Sequence, residues 1–243
     1  MSKTRLYLVT PFIDGGDLHQ VIKNNPDWED NRMPETAAKF YAACLIFGLR
    51  YLHNNNVMHR DLKLENLMIR SDGYLCLIDF GLAKFLYQGQ LAQTFCGTPA
   101  YMAPEVVNPS NEGYGNSADW WSCGILLYEM VIGAVPFKAQ NTHKMQQSIM
   151  NDKVKWPKKV QVSDQFKDLV EKLLKKDPNE RIGARDGADE ILAHDWFSDT
   201  DLDMIEERDP ECVLPFKPAP NAMENFSCQK FTDELNESVV TAA

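Results

Sequence analysis

From Asp119 to Ile132 the chain is apolar on nearly every face of a helix, and a helix of that kind has to be enclosed by protein on all sides. The rest of the fold is therefore expected to wrap around it, which makes this segment the centre of a lobe. It does not read as a membrane span. Ile125-Leu126-Leu127-Tyr128 is closed at once by Glu129, and a span needs about 18 apolar residues in a row. With 243 residues, 44% of them hydrophobic, the chain can build one sizeable core and carry a tail.

The opening Met1-Ser2-Lys3-Thr4-Arg5 leads only into Leu6-Tyr7-Leu8-Val9 before polar residues return, too short an apolar run for a signal-peptide core. The expected location is cytoplasmic, or nuclear. Cys44, Cys76, Cys96, Cys123, Cys212 and Cys228 show no Cys-x-x-Cys spacing, so buried thiols in a reducing compartment are expected and a structural zinc site is not. The net charge of -10 is unevenly spread. Residues 199–243 hold eleven acids against three bases, leaving about -2 for everything before them. The acidity is thus mainly a tail property, read as a solvated extension. With no basic patch evident, nucleic acid is not an expected partner.

Leu6 to Val9 reads as a short strand ended by Asp14-Gly15-Gly16, and Asp17 opens a helix to about Asn24. Pro34 fits the first turn of a second helix. There Phe40, Cys44, Phe47 and Tyr51 recur at helical spacing, and Asn54-Asn55-Asn56 competes for the backbone and ends it. Leu67-Met68-Ile69 and Tyr74 to Ile78 flank the turn Ser71-Asp72-Gly73 as a hairpin. Ser163 caps a helix whose inner face is Phe166, Leu169, Val170, Leu173 and Leu174, and Asp177-Pro178 stops it. Past Trp196-Phe197 the periodicity disappears, so a boundary is placed near residue 198.

Three blocks carry the chemistry: His59-Arg60-Asp61-Leu62-Lys63-Leu64-Glu65-Asn66, then Asp79-Phe80-Gly81 thirteen residues beyond Asn66, then Ala103-Pro104-Glu105. Asp-Phe-Gly alone recurs by chance, but the three in this order and spacing do not. The hairpin brings Asn66 and Asp79 to adjacent strand ends, where two hard oxygen ligands suit a magnesium ion. Asp61 can accept a hydroxyl proton, and Lys63 can neutralise a developing negative charge. That set suits phosphoryl transfer, which asks protein for alignment and charge neutralisation more than for covalent chemistry.

With Thr94-Phe95-Cys96-Gly97-Thr98-Pro99 before Ala103-Pro104-Glu105, and Asp119-Trp120-Trp121-Ser122-Cys123-Gly124 after it, the chain resembles the AGC group of serine/threonine protein kinases, similar to the cyclic-nucleotide-dependent catalytic subunits. The resemblance runs from Leu6 to about Phe231. It implies an α+β, mainly α, kinase-like fold. Residues 1–16 would be the last small-lobe strand and hinge, 17–198 the large lobe, and 199–243 an AGC-type C-terminal extension. It implies ATP and Mg2+, with Asp61, Lys63, Asn66 and Thr98 catalytic and Asn66 and Asp79 on the metal. The Pro11 carbonyl and Ile13 N–H would face the adenine edge, with Thr10 behind it, Asp17 on the ribose, and Met68 and Leu18 as the floor.

Thr94 matches an activation-loop phosphosite, clamped by Arg60 and Lys84 and served by an upstream activating kinase. Asp17, Glu65 and Glu129 match acidic subsites that select protein substrates with basic residues before the phosphoacceptor. Glu105 is expected to pair with Arg181, and Asp119 to hold the catalytic loop by its backbone N–H groups. Pro215-Phe216-Lys217-Pro218 and Asn225-Phe226 through Phe231-Thr232 match the extension that lends an aromatic to the ATP site, and Thr241 a turn-motif phosphosite. Ala100 stands where relatives often have Glu, and Phe226 and Phe231 are five apart where the family usually has four.

Only 58 residues precede His59, and they hold neither a Gly-x-Gly-x-x-Gly loop nor a lysine in a Val-Ala-x-Lys context. The first expectation is an incomplete sequence of an active kinase. The alternative is a large lobe used alone as a non-catalytic binding or decoy module. In either case the 243-residue chain by itself is expected to transfer no phosphate.

Overall fold

The computed structural model describes residues 9–87, 89–108 and 112–218. In chain order the helices are α1 (Leu18–Asn24), α2 (Glu35–Asn54), α3 (Pro104–Val107), α4 (Ser117–Ile132), α5 (Thr142–Asn151), α6 (Asp164–Leu173), α7 (Ala188–Leu192) and α8 (Leu202–Glu207). The strands are β1 (Val57–Met58), β2 (Leu67–Ile69), β3 (Leu75–Leu77) and β4 (Lys84–Phe85). They form two small antiparallel ladders among the described residues, β1 with β4 and β2 with β3. The mainly α fold expected from the sequence is the one found.

The lobe is built around α4 as its apolarity requires. Ile125, Leu126 and Leu127 are fully buried, as are Trp121 and Cys123, and burying each of the three aliphatics stabilises the fold by about 1.5–3 kcal/mol. Both α2 and α6 pack on α4. At the α6 contact the helix surfaces meet over Gly124, where an added Cβ would lie 2.8 Å from the Cβ of Leu173. The Ser163 hydroxyl caps α6 by accepting from the Phe166 N–H at 3.1 Å, and its inner face is the expected one.

Several local expectations are corrected. Pro34 stands just outside α2 as its N-cap, with ψ at 148°, rather than in the first turn. The buried face of α2 includes Ala38, Tyr41, Ala42, Leu45, Ile46 and Leu49, whereas Tyr51 is 71% exposed and Cys44 and Phe47 are half-buried. Phe40 is buried as expected, and the alanines among these residues let α2 approach its neighbours closely. Helix α6 ends at Leu173, before Asp177-Pro178. Of the described cysteines only Cys123 is fully buried.

The segment after residue 198 is not all irregular. Helix α8 buries Ile205 and packs on α2, where Arg50 pairs with Glu206 and Lys39 with Asp199. Part of the tail's acidity therefore meets cations of the lobe rather than solvent alone. Such exposed pairs contribute about 0–1 kcal/mol each, so Ile205, Leu214 and Phe216, packed against the core, do most of the anchoring. The strand expected at Leu6 to Leu8 and the segments around Phe226, Phe231 and Thr241 lie outside the described residues, and Val9 is in no strand.

Candidate active site

The catalytic segment leaves β1 through a backbone that an L-residue adopts only under constraint. Arg60 has φ at 70° and Asp79 at 60°, both in the left-handed region that costs a non-glycine residue free energy. The constraint on Arg60 is visible. Asp119, in the first turn of α4 and 1% exposed, accepts from the Arg60 N–H and the His59 N–H, each at 3.0 Å. His53 of α2 lies 2.9 Å from the same carboxylate. Burial would push the Asp119 carboxyl up, but His53 and the two N–H donors outweigh it and hold the group below the usual carboxylate range. The central helix thus fixes the loop through a charge kept ionised by its donors.

Asp61, held next in line, is nearly buried. Its Oδ1 accepts from the Thr98 hydroxyl at 2.6 Å and its Oδ2 from the Lys63 ammonium at 3.0 Å. Burial would again raise its pKa; the hydrogen bonds from Thr98 and Lys63 and the lysine charge prevail and depress it. An ionised, oriented carboxylate results. The Asn66 Nδ2 donates to the Asp61 carbonyl at 2.8 Å, which leaves the amide oxygen as the ligand atom of that side chain. The Ile78 N–H donates to the Asn66 carbonyl at 3.0 Å, so the β2–β3 hairpin ties Asn66 to the chain just before Asp79. Asp79 accepts from the Gly81 N–H at 3.1 Å.

Thr98 reaches Asp61 because Gly97 permits it. Gly97 has φ at 112°, and a Cβ there would sit 2.6 Å from the Arg60 carbonyl oxygen. The segment around Gly97-Thr98 thereby lies directly on the His59–Asn66 loop. Further along, Glu105 and Arg181 form a buried bidentate pair at 2.6 and 2.9 Å, and the same guanidinium donates to the Ser117 carbonyl at 2.6 Å.

A cleft of about 770 Å³ adjoins Asp79, lined by Thr10, Pro11, Ile13, Met68 and Phe80 among others. Leu18 is fully buried and does not line it, so the expected floor reduces to Met68. Asp17 caps α1, accepting from the Gln20 N–H at 2.9 Å, and bridges to Met68.

The expected phosphate clamp is arranged differently from a direct contact. Arg60 Nε donates to the Leu82 carbonyl at 2.6 Å, and its NH1 lies 3.4 Å from the Tyr114 hydroxyl, which itself donates to the Thr94 carbonyl at 2.6 Å. Tyr114, which the sequence reading did not single out, is the link between Arg60 and Thr94. Lys84 lies in β4 opposite Met58. Tyr101 was likewise missed: its hydroxyl donates to Glu129 Oε2 at 2.5 Å. Burial, with the nearby Glu65 charge, raises the Glu129 pKa against that hydrogen bond. Tyr101 lies three residues after Thr98, but nothing in its spacing to Glu129 announces the contact.

Residues 1–197 match the family model described as "Protein kinase domain", and the chain belongs to that family. It is 39% identical to "Protein kinase 2" of Dictyostelium discoideum over 89% of this chain and 43% of that protein. It is 40% identical to "Serine/threonine-protein kinase SCH9" of Candida albicans, over 94% of this chain and 28% of that protein. A third relative, "RAC-beta serine/threonine-protein kinase B" of Xenopus laevis, is 36% identical over 99% of this chain and 47% of that protein. The chain thus spans less than half the length of each. The AGC-group resemblance drawn from the Gly-Thr-Pro, Ala-Pro-Glu and Asp-Trp-Trp blocks holds at this level.

Proposed function

We propose that the protein carrying this chain transfers the γ-phosphate of ATP to serine or threonine hydroxyls of protein substrates that hold basic residues before the acceptor. The observation that carries the reading is the Asp61 carboxylate, ionised and fixed by Thr98 at 2.6 Å and Lys63 at 3.0 Å beside Asn66 and Asp79. A substrate hydroxyl meeting this carboxylate is oriented for attack and has an acceptor for its proton. Lys63, already at Asp61, is placed to neutralise charge on the transferring group. Asn66 and Asp79 supply the hard oxygen donors that suit magnesium, which when bound would neutralise the nucleotide phosphates. The cleft lined by Thr10, Pro11, Ile13 and Met68 would take the base.

Glu65 and Glu129, close enough to interact, support selection of a cationic side chain, with Asp17 at the head of α1 as a third acid. Phosphorylation of Thr94 by an upstream kinase would add a charge for Arg60 and Lys84 to meet, with Tyr114 already coupling Thr94 to Arg60. The proposed location is the cytoplasm or nucleus, and no described helix is long and apolar enough to cross a membrane.

The test is a peptide library presented to the natural full-length protein with Mg-ATP, followed by phosphoamino-acid analysis. Phosphoserine and phosphothreonine concentrated in peptides with Arg or Lys before the acceptor are expected. Phosphotyrosine as the main product, or equal rates on acidic and basic peptides, would refute the assignment.

A further inference from the structure

Cys44, on α2, and Cys212, in the turn after α8, are far apart in sequence and converge on one side chain, Tyr74. Helix α2 approaches through Phe40, whose ring centroid is 5.2 Å from that of Tyr74. Cys44 follows one turn later on the same helix face, with its thiol beside the Leu75 backbone. The tail brings Cys212 from the other direction. The Arg208 guanidinium lies over the Tyr74 ring at 5.5 Å, and the Cys212 N–H donates to the Asp209 carbonyl at 3.0 Å. Leu214 then comes so close to Gly73 that a Cβ added there would lie 2.8 Å from its Cδ1. Tyr74 is 6% exposed, and its hydroxyl, buried and otherwise without a hydrogen-bond partner, faces the Cys212 thiol. The two thiols are close enough to interact with each other as well as with that hydroxyl.

We propose that Cys44 and Cys212 form a redox-modification site, in which hydrogen peroxide oxidises the pair to a disulfide that ties the tail to α2. Cys212 lines a cleft of about 380 Å³ together with Phe40, Met204 and Ile205, so it is the sulfur that the oxidant reaches. Its thiolate attacks one peroxide oxygen, the O–O bond breaks, and the second oxygen leaves as hydroxide, which takes a proton to become water. Cys212 is then a sulfenic acid. The Cys44 sulfur attacks the Cys212 sulfur, the S–O bond breaks, and the hydroxide leaves with the Cys44 proton as a second water. Two electrons pass from the two sulfurs to the peroxide. Burial pushes the Cys44 thiol up to about 12, with the Arg208 charge opposing, which makes it slow toward free peroxide. It reacts in the second step because the sulfenic acid is held beside it. Disulfides of reducing compartments are mostly transient and redox-sensing. This one would fix the stretch that runs through Leu214 and Phe216, both packed on the core, to Pro218, whose Cγ lies 2.8 Å from where a Cβ on Gly15 would sit. Gly15 adjoins Ile13 and Asp14 in the wall of the cleft beside Asp79, so oxidation would stiffen that wall. The proposal does not depend on the catalytic reading.

The test treats the natural full-length protein with a small excess of hydrogen peroxide, blocks the remaining thiols with N-ethylmaleimide and locates disulfides by non-reducing peptide mapping. A Cys44–Cys212 peptide pair is expected as the main product, formed within one molecule when isotope-labelled and unlabelled protein are mixed, and lost on reduction with dithiothreitol. Cys44→Ser removes the thiol that resolves the sulfenic acid, so the dimedone adduct at Cys212 should rise at least about fivefold. Cys212→Ser should leave Cys44 a free thiol that dimedone does not label. Cys44 and Cys212 both remaining free while other cysteines are oxidised would overturn the proposal. So would a bond formed only between molecules, Cys212 paired with a cysteine other than Cys44, or a Cys44→Ser protein whose Cys212 gives no dimedone adduct.

Discussion

Replacing Arg181 by alanine removes one partner of an ion pair in which the arginine side chain is fully buried and the Glu105 side chain is 5% exposed. The arginine holds both Glu105 oxygens, at 2.6 and 2.9 Å, and the carbonyls of Ser117 and Lys175 as well. The loss removes the cation that meets both oxygens of a buried carboxylate. Breaking a buried pair from one side costs about 3–5 kcal/mol. For a domain of this size each kcal/mol shifts the melting midpoint by about 2–4 °C, so Arg181→Ala should lower it by roughly 6–20 °C. Removing both charges leaves no buried carboxylate without its cation, so Arg181→Met/Glu105→Leu should recover at least about half of that loss. Thermal and urea unfolding followed by far-UV dichroism measure both. A shift under about 2 °C for the single variant, or a double variant no more stable than the single, would refute the idea that desolvated charge governs this joint.

Lys176 has its ammonium 4.1 Å from the Phe137 ring and 4.8 Å from the Trp121 ring, and burial pushes its pKa from 10.5 down to about 8, with Arg181 contributing and Asp152 opposing. Between these values the unfolded chain binds more protons, so stability should rise from pH 8 to pH 10. Because the residue is half-exposed the gain is discounted to about 1 kcal/mol; in urea titrations Lys176→Met should abolish the rise, and a rise of equal size in the variant would assign it to other groups. Gly97→Ala should push the activation segment off the Arg60 carbonyl and separate Thr98 from Asp61. Faster proteolysis between residues 84 and 100 and a destabilisation of about 1–3 kcal/mol are the expected readouts, and an unchanged cleavage pattern would contradict them.

The elements most legible in the sequence were those in which one physical requirement dominates. Helix α4 had to be central because nearly every face of it is apolar, the hairpin followed from two short apolar runs flanking the turn Ser71-Asp72-Gly73, and Ser163 caps α6 by hydrogen-bonding its first turn. The face of α2 was read only in part: Phe40 is buried as expected, but the alanines of the seam carry little hydrophobic signal, while Phe47 and Tyr51 carry much and stand partly or largely outside. Helix α8 was missed because one buried isoleucine and one surface ion pair leave no periodicity to read. At the site, Asp61, Asn66 and Asp79 were recognisable because their spacing is fixed by a single loop and hairpin. Their support was not. His53, Tyr101 and Tyr114 act on residues 66, 28 and 20 positions away, and only folding reveals such pairings.

In the proposed transfer Asp61 is the ionised acceptor of the substrate proton. The most direct measurement is steady-state phosphate transfer to a basic serine peptide by the natural full-length protein and its Asp61→Asn variant, which keeps the shape and removes the charge. A fall in kcat of about 10²–10⁴-fold is predicted, with the KM for ATP changed by less than about threefold because Asp61 is not among the residues lining the cleft proposed to take the nucleotide. A variant that retains kcat within a factor of about three, or that loses activity only through a raised KM for ATP, would contradict it.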